Sequence, residues 1–444
     1  VPIGAFVRAA LIGAALVLST GAPAPDASSP LNGTLAGGGT YLVRPTAGAA
    51  VAAIALWYRA PSSGFDAPAI PGLGRVAAAA VAASQPVTGT SLAQFVRQTG
   101  GRLSVTAYPE SVAISLLVPA DRAGSAVRAL TRSFFAPVLT DNGLVLARRS
   151  VAEDGAIRAL NNDAAITDAI YAALFAGGPA KIPPFGSTGS FTSLTTDAVR
   201  SYAERAFRPS NAVLVVTGAV TPAVLASALP GRDGAAPGME TPVPETLATG
   251  VAPVTVRGPE KGFGLGWAGP PIADEQEATA FDFIADYLFY PDTGSVQRAL
   301  RDTGASLTGT FVTYHDPGVF LLTSAGGDQA AARAAVDAAL AAIRKPMAPA
   351  AFEVARRKFI YHILSDAETP ATLADTYGWY SVEGNPAYAP GEGGQTGRYL
   401  SAAAALTPAS VASIAAKYLD RPGASIAIDP APPAPPAPKA SPTP

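Results

Sequence analysis

Two stretches of this 444-residue chain, one domain length apart, follow the same pattern. The first, Ser193-Leu194-Thr195-Thr196-Asp197-Ala198-Val199, leads through Tyr202-Ala203-Glu204-Arg205-Ala206-Phe207-Arg208-Pro209 into the apolar run 212–218. The second, Ala405-Leu406-Thr407-Pro408-Ala409-Ser410-Val411, leads through Ala415-Ala416-Lys417-Tyr418-Leu419 into 424–428. Both open with Leu-Thr, and the threonine is a ready N-cap. Its hydroxyl oxygen can accept from a first-turn amide that has no partner inside the helix. Each unit then passes from a helix to a strand. Repetition at this distance predicts a tandem duplication, so a fold for one half must also serve the other. A chain of this length can bury two cores of ordinary size.

The remaining periodicity agrees. In the first half a strand at 51–58 precedes an alanine-rich helix at 73–83 and a second helix at 91–99. The second helix stops at Gly100-Gly101, where glycine accepts the left-handed turn of a helix end. Alternation marks hairpin strands at 103–107 and 112–118 about Pro109-Glu110, with helices expected at 122–133 and 141–161. The second half offers a strand at 262–267, a helix at 275–289, strands at 307–313 and 319–324, and helices at 329–343 and 350–365. The expected fold class is α+β: two homologous domains, each a mainly antiparallel sheet with helices on one face. Expected limits are 40–229 for the N-terminal domain and 263–428 for the C-terminal domain. Residues 230–262, rich in Gly, Pro and Thr without periodicity, read as a linker.

Composition narrows the function. A net charge of −2, with 14% charged residues and no basic stripe, argues against capture of nucleic acid or anionic lipid. The absence of cysteine excludes disulfides, thiolate catalysis and Cys-based zinc sites. Residues 1–30 read as an export signal: Arg8 precedes the apolar run 9–18, and small residues follow at 19–24. That run is shorter than the about 20 apolar residues of a spanning helix, so no stable membrane anchor is expected. Export of a cysteine-free chain points to the bacterial periplasm. At the other end, 429–444 reads as a Pro/Ala tail unable to build a core.

Several segments, taken in order, resemble the insulinase/pitrilysin peptidases, more closely their short-chain bacterial and mitochondrial-processing-type branch. One is 92–106, a helix and Gly-Gly turn followed by Leu103-Ser104-Val105-Thr106. Another runs from Leu194-Thr195 through Arg208-Pro209-Ser210-Asn211-Ala212 to Gly218. With the second-half pattern, the similarity spans 40–428. The resemblance implies two homologous domains per chain, two chains closing into a clamshell, and a zinc helix carrying His-x-x-Glu-His shortly before a Gly-Thr. Here Gly72-Leu73-Gly74-Arg75-Val76-Ala77-Ala78-Ala79-Ala80, then Val87-Thr88-Gly89-Thr90, takes that place.

The three motif positions fall on Arg75, Ala78 and Ala79. The i, i+4 spacing sets two imidazoles on one helix face in active members. A guanidinium and a methyl cannot replace them, and Ala78 lacks the carboxylate that would activate water. No cofactor is therefore expected in this chain, and zinc only in a partner subunit. The distal Glu ligand of the family falls near Ala152-Glu153-Asp154, where Glu153 or Asp154 is either a relic or a solvated helix carboxylate. His315 and His362, the two histidines of the chain, read as structural or surface residues.

The resemblance also implies a C-terminal Arg/Tyr pair that grips substrate near the scissile bond. Arg301 takes the arginine place, the tyrosine place falls on Ser306 or Leu307, and Tyr314 lies too far along. Arg301 is either a donor to a substrate carbonyl held at a partner's zinc or an ordinary helix-end arginine. Ser104, Val105 and Thr106 match the edge strand to which extended peptides add through backbone hydrogen bonds. The plainer reading is a half-buried strand.

The leading functional expectation is a non-catalytic subunit of a periplasmic zinc-peptidase heterodimer. It would close the chamber and help bind extended peptide for cleavage by a zinc-bearing homologous partner. A second is a structural or scaffold protein with no role in proteolysis, like peptidase-like core subunits of respiratory complexes. A hydrolase of unrelated chemistry lacks support. There is no Gly-x-Ser-x-Gly elbow, and Gly258-Pro259-Glu260-Lys261-Gly262 lacks phosphate-loop spacing.

Overall fold

The computed structural model describes residues 31–430, apart from 47, 86–88, 221–237, 251 and 421. The expected export segment 1–30, the tail from 431 onward, and Val87-Thr88 lie outside the described residues. Helices and strands read from the sequence are present, with ends within about two residues of expectation.

The first half builds a sheet from β1 (Leu31–Thr34), β2 (Thr40–Pro45), β3 (Val51–Arg59), β4 (Arg102–Ala107), β5 (Ser111–Pro119) and β7 (Ala212–Gly218). Between the last two, β6 (Phe175–Gly177) pairs apart from this sheet with β8 (Thr246–Leu247). The second half uses β9 (Val254–Gly258), β10 (Gly262–Gly269), β11 (Ser306–Val312), β12 (Gly318–Ala325) and β13 (Ala424–Pro430). Strand orders are β1-β2-β7-β3-β5-β4 and β11-β12-β10-β13-β9. Apart from the extra β1 they are one topology: hairpin β4/β5 answers β11/β12, β3 answers β10, β7 answers β13, and β2 answers β9. Even the parallel pairs, β2 with β7 and β9 with β13, coincide. The duplication seen in the sequence is a duplication of the fold.

This correspondence corrects two boundaries. Residues 230–262 contain β8 and β9, and β9 is the second domain's counterpart of β2. Its signal was hidden because Val254, Thr255 and Arg257 are exposed on an edge strand, which blurs the alternation. The expected tail begins later than 429, since Asp429 pairs with Arg257 and Pro430 with Gly258.

Helices of the first half are α1 (Leu73–Ala83), α2 (Leu92–Gln98), α3 (Ala123–Phe135), α4 (Asp141–Ala159), α5 (Asn162–Leu174), α6 (Thr188–Ser193) and α7 (Thr196–Ala206). Those of the second are α8 (Glu275–Phe289), α9 (Ser295–Ala299), α10 (Gln329–Ile343), α11 (Pro349–Asp366), α12 (Pro370–Val382), α13 (Arg398–Ala405) and α14 (Pro408–Tyr418). The repeated Leu-Thr starts are capped as their chemistry requires. Thr195 Oγ1 accepts from Ala198 N–H at 3.1 Å, and Thr407 Oγ1 from Ser410 N–H at 3.1 Å. Helices α1 and α3 pack on one face of the first sheet and α4 and α7 pack against α1, in one apolar core with Ile54, Leu56, Ile114 and Leu214.

The opposite face of each sheet is covered by a helix from the other half. α12 lies on β3 and β7, while α5 lies on β10, β12, β13 and β9. Glycine alternates with apolar residues in Gly262-Phe263-Gly264-Leu265-Gly266-Trp267. A Cβ at Gly264 would run into Ile166, and one at Gly266 into Ile170, so these glycines let α5 approach the sheet. In the first half the arrangement inverts: Trp57 of β3 reaches Gly378 of α12, where a Cβ would strike the indole. The two halves thus share a continuous core running between the sheets.

Candidate functional site

The helix that carries the expected metal positions is wedged in place at its start. Gly72 has φ 79, and a Cβ there would lie 2.9 Å from Gly186 Cα and 2.9 Å from Phe191. At Gly74 it would lie 2.6 Å from the Tyr202 hydroxyl. These glycines bring α1 against α7 and the 186–191 segment, so one turn into the helix Arg75 is only 7% exposed.

Arg75 Nη2 donates to Asp154 Oδ2 of α4 at 2.5 Å. Its guanidinium lies 5.2 Å from the Phe185 ring, and Arg158 lies over the same ring at 4.2 Å. Arg158 in turn pairs with Asp168 at 2.6 Å. Burial pulls the Arg75 pKa down, the neighbouring Asp154 pushes it back up, and Arg158 adds to the lowering. An arginine stays charged nonetheless. Its Nη1 is buried without a hydrogen-bond partner. Ala78 is fully buried and Ala79 half-buried, and both end in methyl groups.

These residues do not fit a zinc ion. A guanidinium already stands against the one carboxylate of the 152–154 segment that reaches α1, and no imidazole accompanies it. Among the described residues no group of three or more His, Cys, Asp or Glu is placed to hold a metal. Of the two adjacent carboxylates, Asp154 faces α1, whereas Glu153 pairs with Arg149 at 2.9 Å on the exposed side of α4.

Ser104, Val105 and Thr106 lie on β4, at one end of the six-stranded order, opposite Ser115, Ile114 and Ala113 of β5. Ser104 is exposed, and Val105 and Thr106 are half-buried. The outer edge of β4 has no strand partner among the described residues. Helix α1 packs against the same strand.

The second-half candidates have other engagements. Arg301 is exposed in the turn after α9, where Nη2 donates to the Asp292 carbonyl at 3.3 Å. Ser306 donates to the Ala325 carbonyl at 3.0 Å, and Leu307 is buried. The Tyr314 and Tyr171 hydroxyls are hydrogen-bonded at 3.0 Å. Both histidines are tied down: His315 N–H donates to Glu383 at 2.8 Å, and His362 Nδ1 meets Asp286 at 2.7 Å.

A cluster at the junction of the halves was not visible in the sequence. Arg59, at the end of β3, donates through Nε to the Val382 carbonyl at 2.6 Å. Buried Glu110 and Glu383 both feel its charge, yet burial pushes both carboxyls upward, with repulsion from Asp316 added at Glu110 and from Glu110 at Glu383. Glu245 accepts from Ala180 N–H at 2.7 Å, its second oxygen is buried without a partner, and burial pushes it up to about 8. The one available signal was a glutamate at the tip of the 109–110 hairpin, a place where carboxylates are ordinarily solvated.

Residues 193–359 match the sequence model of a family described as the peptidase M16 inactive domain. No curated protein sequence matches the chain. Among solved structures it is similar to a protease from Helicobacter pylori, at 15% identity and TM-score 0.77 over 91% of this chain and 99% of that one. It is similar to a peptidase M16 inactive domain from Pseudomonas fluorescens at 15% identity and TM-score 0.72, over 91% and 98%. It is also similar to a chain of complex III2 from Candida albicans at 12% identity and TM-score 0.70, over 89% and 94%. At such identities the structural likeness establishes the fold, and the sequence model speaks for residues 193–359. Residues 193–359 thus carry the sequence pattern of the peptidase M16 inactive domain, and the chain as a whole has the fold of the M16-like peptidases it resembles.

Proposed function

We propose that this chain is a non-catalytic subunit that pairs, in the bacterial periplasm, with a zinc-bearing homologue. It closes the chamber of that pair and helps hold extended peptide for cleavage by the partner. The observation that carries this reading is the Arg75–Asp154 ion pair on an intact two-domain frame. A fixed guanidinium keeps positive charge between α1 and α4 but has no open coordination position with which to polarise a carbonyl or bind water. The open edge of β4, beside α1, offers the surface for strand addition.

The test is to co-express this chain with a neighbouring-gene homologue carrying His-x-x-Glu-His, then measure bound zinc and cleavage of an unstructured peptide. The expected result is cleavage that requires both chains, with this chain metal-free and inert by itself. A lone chain that binds stoichiometric zinc and cleaves would overturn the reading. In the joint assay, an Arg301→Ala variant with unchanged activity would remove Arg301 from substrate binding. The likeness to a chain of complex III2 favours a scaffold as the second reading. A stable pair whose cleavage rate equals that of the partner alone would select it.

A further inference from the structure

In the second half, a cleft between the end of α8, the turn into α9 and one face of α11 encloses about 300 Å3. That is the lower end of the range occupied by small-ligand sites. Positions 351, 355, 358 and 362 follow one another at helical spacing, so a single stripe of α11 lines the cleft. The stripe changes character along its length. Ala351 and Ala355, with Met347 before them, form an apolar floor, and Lys358 and His362 follow one turn apart.

The polar end is built rather than incidental. His362 Nδ1 lies 2.7 Å from Asp286 Oδ1, and the ring stacks on Tyr290 with centroids 3.5 Å apart and planes 6° from parallel. With Asp286 accepting from Nδ1–H, the imidazole is fixed in plane and tautomer, and Nε2 is its remaining polar position. Arg298 is held at the rim by donating to the Thr293 carbonyl. Lys358 is exposed at the rim and makes no ion pair among the described residues. Two permanent cations thus face a floor of methyl and thioether groups, and the one carboxylate present is committed to His362.

We propose that this cleft binds an apolar carboxylate. Its charge lies against Lys358 and Arg298, beside the ring of His362, and its hydrocarbon lies on Met347, Ala351 and Ala355. A planar guanidinium beside a mobile ammonium suits a single delocalised anion. The C-terminal residue of a peptide and a free short-chain carboxylic acid share this chemistry. The inference stands independently of any zinc-bearing partner.

The chain has two histidines, so the Hε1 proton resonance of His362 can be assigned in the full-length protein by comparison with H362N. Titration with N-acetyl-Ala-Leu is expected to shift that resonance saturably and leave His315 unmoved. The C-terminal amide of the same dipeptide is expected to leave both unmoved. Lys358→Glu should weaken binding about tenfold or more and Lys358→Arg should retain it, as expected when one charge-assisted contact is lost or kept. Hexanoate binding as tightly as the dipeptide identifies a free acid as the ligand, and tighter dipeptide binding identifies a peptide terminus. The proposal is overturned if the amide shifts His362 as far as the acid does. It is equally overturned if inorganic phosphate competes on equal terms, if Lys358→Glu changes nothing, or if no ligand moves the resonance.

Discussion

Arg75 shows how a side chain that cannot ligate a metal is anchored near the start of α1. Its guanidinium is buried and answered by one carboxylate, Asp154, whose own side chain is 55% exposed. Two variants separate the charge from the pairing. Asp154→Ala leaves a buried cation without its partner and is expected to cost about 1–2 kcal/mol, less than a fully buried pair because water reaches the carboxylate. Arg75→Met keeps most of the volume and removes both the charge and the orphaned Nη1, so it is expected to cost less than Asp154→Ala. Urea denaturation of the two variants checks the order; a neutral Asp154→Ala would mean that Asp154 does not hold Arg75. That no side chain at 75, 78 or 79 can ligate zinc was legible in the sequence, because it is a matter of residue chemistry alone. Which of two adjacent carboxylates meets Arg75 was not, since that depends on the rotation of α4 against α1.

At the level of elements, the exchanged helices α5 and α12 distinguish this fold from two domains laid side by side. Their docking depends on small residues where backbones approach closely. Gly264→Val raises intrinsic strand preference, yet its side chain would meet Ile166. The expected outcome is destabilisation of about 1–3 kcal/mol, the usual cost of overpacking a filled core. Thermal unfolding measures it, and a variant as stable as the parent would show that α5 can withdraw at no cost. The glycine alternation in β10 was readable, and so was the strand itself. The helix that fills the groove was not among the expected helices. In α12 the run Tyr377–Val382 is buried on every side, so it lacks the single apolar stripe that marks a surface helix.

Across the whole molecule, the junction ties both halves to one titration. Glu110 and Glu383 face Arg59, with Asp316 close to Glu110 and the His315 amide on Glu383. Glu245 is pushed up to about 8 by burial, and Asp282, buried against Tyr399 in the second half, to about 7. For each group the folded-state pKa lies above the unfolded value, so the folded chain keeps its proton to higher pH. Below the unfolded carboxyl range neither state is penalised. As pH rises through that range the unfolded chain ionises first, and stability falls until the folded groups ionise in their turn. Urea midpoints are therefore expected to decline between about pH 5 and pH 8, and Glu245→Gln to flatten the decline. A midpoint that rises over that interval, with the variant behaving like the parent, would contradict the assignment. By itself, the sequence determined the duplicated plan, the capped helix starts and the non-ligating side chains at 75, 78 and 79. Those features are written in residue identity and in spacings of a few positions, where local sterics and hydrogen bonding act. Only the tertiary structure decided that 254–258 is a strand, that α5 and α12 trade sheets, that Asp154 answers Arg75, and that three glutamates share a buried junction. Each of these rests on which distant segments meet, and a contact between distant segments leaves no trace in local periodicity.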